Sequence, residues 1–364
     1  MEQPIQKTCL HDRHVALGAL MSPFAGFDMP IQYVGITEEH NSVRQRVGVF
    51  DVSHMGEVRV KGPDAYKFVS HIFVNDVTGA PDGQIFYGMM CYENGGTVDD
   101  LLVYKVNEEE YFLVINASNI DKDVAWIREH AEGFDVSIED ESPKYGEVAV
   151  QGPEAESAVE KILGIPVQDI LFYNFKTFPV NGEEIIVSRT GYTGEDGFEI
   201  YGSHDFICSV WDKLVDGGVQ PCGLGCRDTL RFEVGLPLYG DELTAEISPI
   251  EASLSMFVKL DKPEFIGKEA LAAQKAEGVT RRIVGLELEG NAIPRHGYPV
   301  EVNGEQVGEI TTGYRSISTG KSVAMAMINK PYDKLGTEVE VRIRKKTFPA
   351  KVVKKRFYEK NYKR

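Results

Sequence analysis

Hydrophobic positions change their period twice between Val60 and Ile127. Ala65, Phe68, Val69 and Ile72 are spaced as on one helix face, and Ile120, Val124 and Ile127 return to that spacing. Between them, the runs at 86–91, 98–105 and 111–115 read as strands. The same succession follows Val150. Strand-like runs lie near 171–178, at 184–188 and at 198–201, and a helix then passes through Phe206, Val210, Trp211 and Leu214.

The two blocks open on matching segments. V-K-G-P-D-A-Y-K-F-V (60–69) and V-Q-G-P-E-A-E-S-A-V (150–159) share the pattern V-x-G-P-acid-A-x-x-x-V, with Gly62 and Gly152 90 positions apart. Each reads as a strand ending at glycine, followed by proline at the first helical position, where its missing N–H costs nothing. The acid that follows lies in the first turn, where the helix dipole favours it. V-N-G-E at 180–183 reads as a hairpin turn. A β-α-β-β-β-α order occurring twice predicts an α+β fold of two related antiparallel-sheet/helix halves. The repeats start near residues 55 and 146, and a pseudo-twofold axis with a ligand site between the halves is expected.

After about Gly278 the pattern alternates at period two, separated by Gly, Pro and Asn turns. That predicts a small all-β barrel or sandwich, joined through the helix-like stretch at 267–276. The expected domains are 1–278 and 279–364.

The stretch C-Y-E-N-G-G-T-V-D-D-L-L-V-Y (91–104) sets two carboxylates side by side on a predicted strand, so Asp99 and Asp100 point to opposite faces. Val98, Leu102 and Tyr104 accompany Asp100; Thr97, Leu101, Val103 and Lys105 accompany Asp99. The first face is the more apolar, which makes Asp100 the candidate for a partly desolvated carboxylate. Such a group has a raised pKa and attracts a developing cation strongly.

Length and charge narrow the picture. A chain of 364 residues is too long for one compact core. No apolar run approaches the roughly 20 residues of a membrane span. The N-terminal M-E-Q-P-I-Q-K-T resembles neither a signal nor a transit peptide. Five cysteines, an odd number, argue against a disulfide framework and for a reducing compartment, most simply the cytoplasm. A net charge of −17 disfavours nucleic acid as a partner. Yet the run 342–364 holds eleven Lys or Arg against one acid. It reads either as a solvated strand face with a frayed terminus or as a docking surface for an acidic partner.

Other polar motifs carry less. S-R-T-G-Y-T-G-E-D-G-F-E-I (188–200) is glycine-rich, but it leads into a strand and bears three acids, so it is no phosphate cradle. Its alternation alone puts Glu199 toward solvent. C-G-L-G-C-R-D-T-L-R (222–231) lacks the further ligands of a zinc site. Arg227 and Arg231 share a helix face; Arg231 is expected in an ion-pair network with Asp228 or Glu233. His54 has no nucleophile motif around it and reads as structural, and His40 as a capping or surface residue.

Together, F-A-G-F-D-M-P-I-Q-Y, V-G-V-F-D-V-S-H-M-G-E, N-G-G-T-V-D-D-L, S-R-T-G-Y-T-G-E-D-G-F-E, G-L-G-C-R-D-T-L-R, G-K-E-A-L, I-P-R-H-G-Y and T-T-G-Y-R-S-I-S-T-G-K resemble, in order and across essentially the whole chain, the glycine cleavage T-protein (aminomethyltransferase) family. The resemblance implies a three-part, cloverleaf-like fold. Its duplicated halves form a folate-binding unit beside a C-terminal β-barrel.

It also implies a reaction. The methylene carbon of an aminomethyl group on the lipoyl arm of H protein passes to tetrahydrofolate, releasing ammonia and forming 5,10-methylenetetrahydrofolate. Carried onto this sequence, the catalytic residue is Asp100. Folate contacts fall at Tyr87, Tyr192, Glu199 and Arg227, with Met55, Leu102, Val114, Asn116 and Tyr173 as cavity neighbours. This replaces the solvent-facing reading of Glu199.

The implied co-substrate is tetrahydrofolate, with no metal. The implied partners are lipoylated H protein, docking on the basic run at Lys354, Lys355 and Arg356, and the P and L proteins of the same system, with no nucleic acid or membrane. The chain departs from the common family pattern at Phe27, Cys226 and Phe172. Rival readings within the fold are a folate-dependent demethylase and a non-enzymatic folate-binding paralogue. The K-G-C-Y-x-G-Q-E signature of the paralogue is absent, as is any G-x-G-x-x-G fingerprint for a flavin domain.

Overall fold

The computed structural model describes residues 5–180 and 182–363. Residues 1–4, Asn181 in the expected hairpin turn and Arg364 at the end of the basic run lie outside them. The chain begins with α1 (His11–Ala16), a hairpin of β1 (Leu20–Phe24) and β2 (Phe27–Gln32), α2 (Ile36–Gln45) and the short strand β3 (Gly48–Asp51). The first repeat follows as β4 (Gly56–Lys61), α3 (Ala65–Ile72), β5 (Ile85–Cys91), β6 (Thr97–Asn107), β7 (Glu110–Ile115) and α4 (Ile120–Glu129). After β8 (Ser137–Asp140), the second runs β9 (Gly146–Gln151), α5 (Ala155–Ala158), β10 (Phe175–Val180), β11 (Glu183–Ser188), β12 (Gly197–Gly202) and α6 (His204–Asp216).

The two sheets repeat the same strand order. One is β5-β6-β7-β4-β8; the other is β10-β11-β12-β9-β3-β13, where β13 is Gln220–Cys222. Each sheet takes in a strand from the other side of the repeat boundary, β8 at an edge and β3 between β9 and β13. β3 precedes the first repeat yet pairs with β9 of the second, and β8 precedes the second yet pairs with β4 of the first. The duplication is therefore an exchanged pair of halves.

Helix packing follows the apolar spacing. Ala65, Phe68, Val69 and Ile72 of α3 are buried, as are Ile207, Val210, Trp211 and Leu214 of α6. Ser203 caps α6 by accepting from the Phe206 N–H at 3.3 Å, satisfying one of the free donors of the first turn. The repeated glycines are required by close approach. A Cβ on Gly62 would lie 2.3 Å from the Asp135 carbonyl oxygen, and one on Gly152 2.5 Å from that of Arg46; both residues have positive φ. The helices open at Ala65 and Ala155, so Pro63 and Pro153 sit in the turn ahead of the expected first helical position.

Beyond α7 (Leu224–Glu233) and α8 (Lys268–Glu277), six strands close a barrel. They are β14 (Arg281–Leu288), β15 (Pro299–Val302), β16 (Glu305–Arg315), β17 (Ser322–Asn329), β18 (Glu338–Ile343) and β19 (Lys346–Val353), in the order β14-β17-β16-β15-β18-β19. Leu286, Val300, Ile310, Ala326, Ile328 and Val341 fill its interior. Closure removes unpaired strand edges, which a sandwich would retain.

Buried acids join the barrel to the rest. Glu242 accepts from Arg231 Nη1 (2.9 Å), Thr311 Oγ1 (2.5 Å) and Thr312 Oγ1 (2.7 Å). Glu233 accepts from Ser316 and Ser318 of the barrel side and lies 3.3 Å from His40. Arg231 thus pairs with Asp228 and Glu242, not with Glu233. His40 is fully buried between Thr229 and Ser318, both at 2.9 Å, which corrects the surface reading.

The basic C-terminal run does not fray. Beyond β19, the N–H groups of Phe357 and Tyr358 both donate to the Glu233 carbonyl at 2.8 Å, and Asn361 N–H donates to Gly194 O at 2.8 Å. Phe357 packs on Phe232, and Tyr362 stacks on Phe172 with ring centroids 4.3 Å apart. No helix among the described residues is long and apolar enough to cross a membrane.

Candidate functional site

The two sheets meet through a layer of Ile85, Tyr104, Phe112, Val114, Phe175, Ile186 and Tyr201. Tyr104 and Tyr201, one from each half, touch at their hydroxyls (2.9 Å). Beside this seam lies a cavity of about 670 Å³, within the range that holds a drug-sized ligand. Met55, Tyr87, Asp100, Leu102, Val114, Asn116, Tyr173, Tyr192, Glu199 and Arg227 all line it. The structure thus brings together every residue that the sequence singled out for the site.

Asp100 reaches the cavity because β6 alternates. Its neighbour Asp99 turns to the other face, where it is completely buried. Both faces of β6 are therefore desolvated, and Asp99 is the more enclosed of the pair, against the polarity expected from its neighbours. Asp99 accepts from Asn116 N (2.9 Å), Asn116 Nδ2 (2.9 Å) and Asn119 Nδ2 (2.7 Å). Asp100 accepts from Tyr87 Oη at 2.9 Å through Oδ2 and from Asn116 Nδ2 at 2.9 Å through Oδ1. Burial, then the negative charge of Asp99, push the Asp100 carboxyl up to about 7; the bonds from Tyr87 and Asn116 hold it down. Behind Asp99, burial and the same charge raise Asp123 to about 10, so it is a neutral acid there.

The second half supplies the facing wall. Glu199 is nine-tenths buried and accepts from the Thr190 hydroxyl; burial raises its pKa. It faces the cavity, as the family resemblance implied. The Arg227 guanidinium lies over the Tyr192 ring, 4.4 Å from the centroid, an arrangement that fixes both. Tyr173 adopts φ +60°, a conformation unusual for a residue with a side chain. The residue is held there because its N–H donates to Arg189 O (3.0 Å) while its carbonyl accepts from Ile85 N (2.8 Å). The stretch 171–174, expected as strand, is this turn.

Other expected features sit apart. His54 is buried against Phe24 and Phe27, and burial lowers its pKa to about 4, so it is neutral and structural. Cys222 and Cys226 approach Glu39, but that carboxylate already accepts from the N–H groups of Tyr33, Val34, Gly35 and Gly223.

Sequence reasoning missed several parts of the wall, among them the segment from Val234 to Tyr239 and the stretch with Ser253, Leu254, Met256 and Phe257. Lys355, Arg356, Lys360 and Tyr362 of the C-terminal strap line the cavity. Lys355 Nζ is turned inward to the Ala252 carbonyl at 2.9 Å, and burial lowers its pKa to about 8. It is therefore not part of an exposed basic stripe. The fold-back gave no local signal, since a basic tail reads as solvated. Glu147 and Tyr201 also line the cavity. Extending the repeat by a few residues, G-E-V at 56–58 and at 146–148, would have shown Glu57 and Glu147 at corresponding places.

The chain matches two family models, described as the GCVT N-terminal domain over residues 10–262 and the glycine cleavage T-protein C-terminal barrel domain over residues 281–359. It is 49% identical over 365 residues to an aminomethyltransferase of Alkaliphilus oremlandii, covering 99% of each chain. It is 48% identical over 367 residues to one of Clostridium botulinum, again covering 99% of each. The crystal structure of a glycine cleavage system aminomethyltransferase T from Bartonella henselae is similar with a TM-score of 0.94 at 32% identity, over 99% of this chain and 100% of that one.

Proposed function

The chain belongs to the glycine cleavage T-protein family, and from that premise we propose that the cavity between its halves holds tetrahydrofolate with the reacting nitrogens toward Asp100. The protein is an aminomethyltransferase. It moves the methylene carbon of the aminomethyl group on lipoylated H protein to tetrahydrofolate, producing ammonia and 5,10-methylenetetrahydrofolate.

In this reading N5 of tetrahydrofolate attacks the S–CH2–NH3+ carbon, and the C–S bond breaks with its electrons on sulfur. Loss of ammonia leaves a CH2=N5 iminium, which N10 closes into the methylene bridge. The proton shed by N5 converts the thiolate to the thiol, and that shed by N10 converts ammonia to ammonium. Positive charge develops on nitrogen twice, so an anion fixed beside N5 and N10 lowers both barriers. A carboxyl with a pKa near 7 can also relay the protons.

The observation that carries this reading is the clamped, cavity-facing Asp100. Two donors fix its orientation, and among the described residues it has no cationic partner to neutralise it. Glu199 suits the N–H edge of the pterin, as a carboxylate accepts paired donors. Lys360 in the wall suits the anionic glutamate tail. H protein docks on the exposed basic groups Lys354 and Arg356, with Lys355 excluded by its inward course. Reversing the charge of both should raise the apparent KM for H protein and flatten its salt dependence; unchanged values would remove this docking surface.

The test of the reaction is ammonia release from aminomethylated, lipoylated H protein with and without tetrahydrofolate. Strong stimulation by the folate, abolished in Asp100→Asn, is the expected result. Release that ignores the folate would overturn the reading.

A further inference from the structure

Glu147 has no role in the reaction so far described, yet its setting is built. It lies on β9 directly opposite Tyr201 of β12, and Glu199 is two residues back on the same face of β12. Diagonal neighbours across an antiparallel pair are about 7–8 Å apart, so the two carboxyl groups can meet neighbouring positions of one ligand edge. Glu147 is 2% exposed, lines the cavity, and its Oε2 has no hydrogen-bond partner among the described residues. An unpartnered buried carboxyl is costly, and this one, unlike Glu57, lines the cavity, where the polar edge of a ligand can complete it.

The surroundings decide the form of the group. The Glu57 and Glu199 carboxyl groups crowd it, and charge on either opposes its ionisation, while Tyr201 and Arg227 offer a hydroxyl and a cation. Burial is the largest influence and the two acids add to it, so the carboxyl stays protonated well above the ordinary range of a glutamate. A protonated carboxyl offers what a carboxylate cannot, a donor.

We propose that Glu147 is a further substrate-binding residue, whose neutral carboxyl donates a hydrogen bond to the 4-carbonyl oxygen of the pterin while Glu199 accepts from the adjacent N–H groups. This rests on the folate reading above. The two acids, one donating and one accepting, read the lactam edge of the ring and distinguish a 4-oxo from a 4-amino heterocycle, because the amino group presents a second donor to Glu147. A buried donor that loses its acceptor makes such a ligand strongly disfavoured.

The experiment measures the binding of tetrahydrofolate and of its 2,4-diamino analogue, under anaerobic conditions, to the full chain and to Glu147→Gln and Glu147→Leu. The Gln variant keeps a donor and should bind tetrahydrofolate within about threefold of the parent. The Leu variant should bind it about tenfold more weakly, the loss of one hydrogen bond, while its affinity for the diamino analogue stays level or rises. Thermal unfolding should show the Leu variant at least as stable as the parent, which separates lost binding from lost fold. Equal losses for both ligands, or none for either, would overturn the role of Glu147. A parent protein that binds neither would overturn the folate reading itself.

Discussion

Tyr87 donates to Asp100 across neighbouring strands, Oη to Oδ2 at 2.9 Å, so the acid facing the cavity is aimed by a side chain of the adjacent β5. The Asn116 amide fixes the other oxygen, Oδ1. Replacing Asp100 by Asn keeps the shape and deletes the charge. Turnover should fall by about 10²–10³, the usual cost of losing one electrostatic contact to a transition state. Tetrahydrofolate affinity should change by less than about threefold. Equal losses in both would make Asp100 a binding residue only.

The same pair predicts a pH profile with two opposed shifts. The Asp100 carboxyl is raised to about 7, by burial and then by Asp99. Below that pH it is protonated and the anion is lost, so the acid limb of kcat/KM, which reports the ligand-free enzyme, should lie near 7. Tyr87→Phe removes a donor that favours the anion and should move the limb to higher pH. Asp99→Asn removes the neighbouring negative charge and should move it to lower pH. Both variants moving it the same way would mean that Asp100 does not set the limb.

Glu57 gives a stability prediction. Both of its carboxyl oxygens are buried without partners among the described residues, and burial, then Asp140, raise its pKa well above the ordinary value. The unfolded chain, with a glutamate pKa of about 4.3, sheds this proton first. Below that pH the group is neutral in both states and costs no ionisation energy. As pH rises toward the folded pKa, stability is lost at up to about 1.4 kcal/mol per unit. Glu57→Gln should therefore gain stability relative to the parent above about pH 5 in urea unfolding, and the gain should grow with pH until the folded carboxyl ionises. A constant difference would place the Glu57 proton elsewhere.

These groups also show what was legible in the sequence. The duplicated halves were visible because V-x-G-P recurs with the same helix and strand periods after it; the clean alternation after Gly278 showed an all-β unit but left barrel and sandwich open, and the resemblance chose the barrel. The exchange of β3 and β8 was not visible. Both are four-residue strands, and pairing partners far apart in sequence leave no local period. Asp100 could be chosen over Asp99 by the face it shares with Leu102 and Tyr104, but burial of the opposite face comes from Asn116, Asn119 and Asp123, distant along the chain. Glu199 was misplaced by local pattern and corrected only by whole-motif resemblance, because a face lining a polar cavity alternates just as one facing water does. His40 failed for the related reason that its partners Thr229 and Ser318 lie 189 and 278 positions away.

The barrel joint is such a long-range feature, and it concentrates on Glu242. One buried carboxylate receives Arg231 at 2.9 Å, both threonine hydroxyls of β16 and the Leu238 N–H at 3.0 Å. Glu242→Leu leaves Arg231, 1% exposed, with Asp228 as its nearest partner at 2.7 Å. Breaking a buried pair from one side costs about 3–5 kcal/mol, because the remaining charge is stranded. The variant should unfold at a clearly lower temperature, with hydrogen exchange accelerated at β16 and in α7. Glu242→Leu combined with Arg231→Met removes the stranded charge and should recover much of that loss. Additive losses in the double variant would mean that the two residues do not act as a pair, and the joint would then rest on Glu233, Ser316 and Ser318 instead.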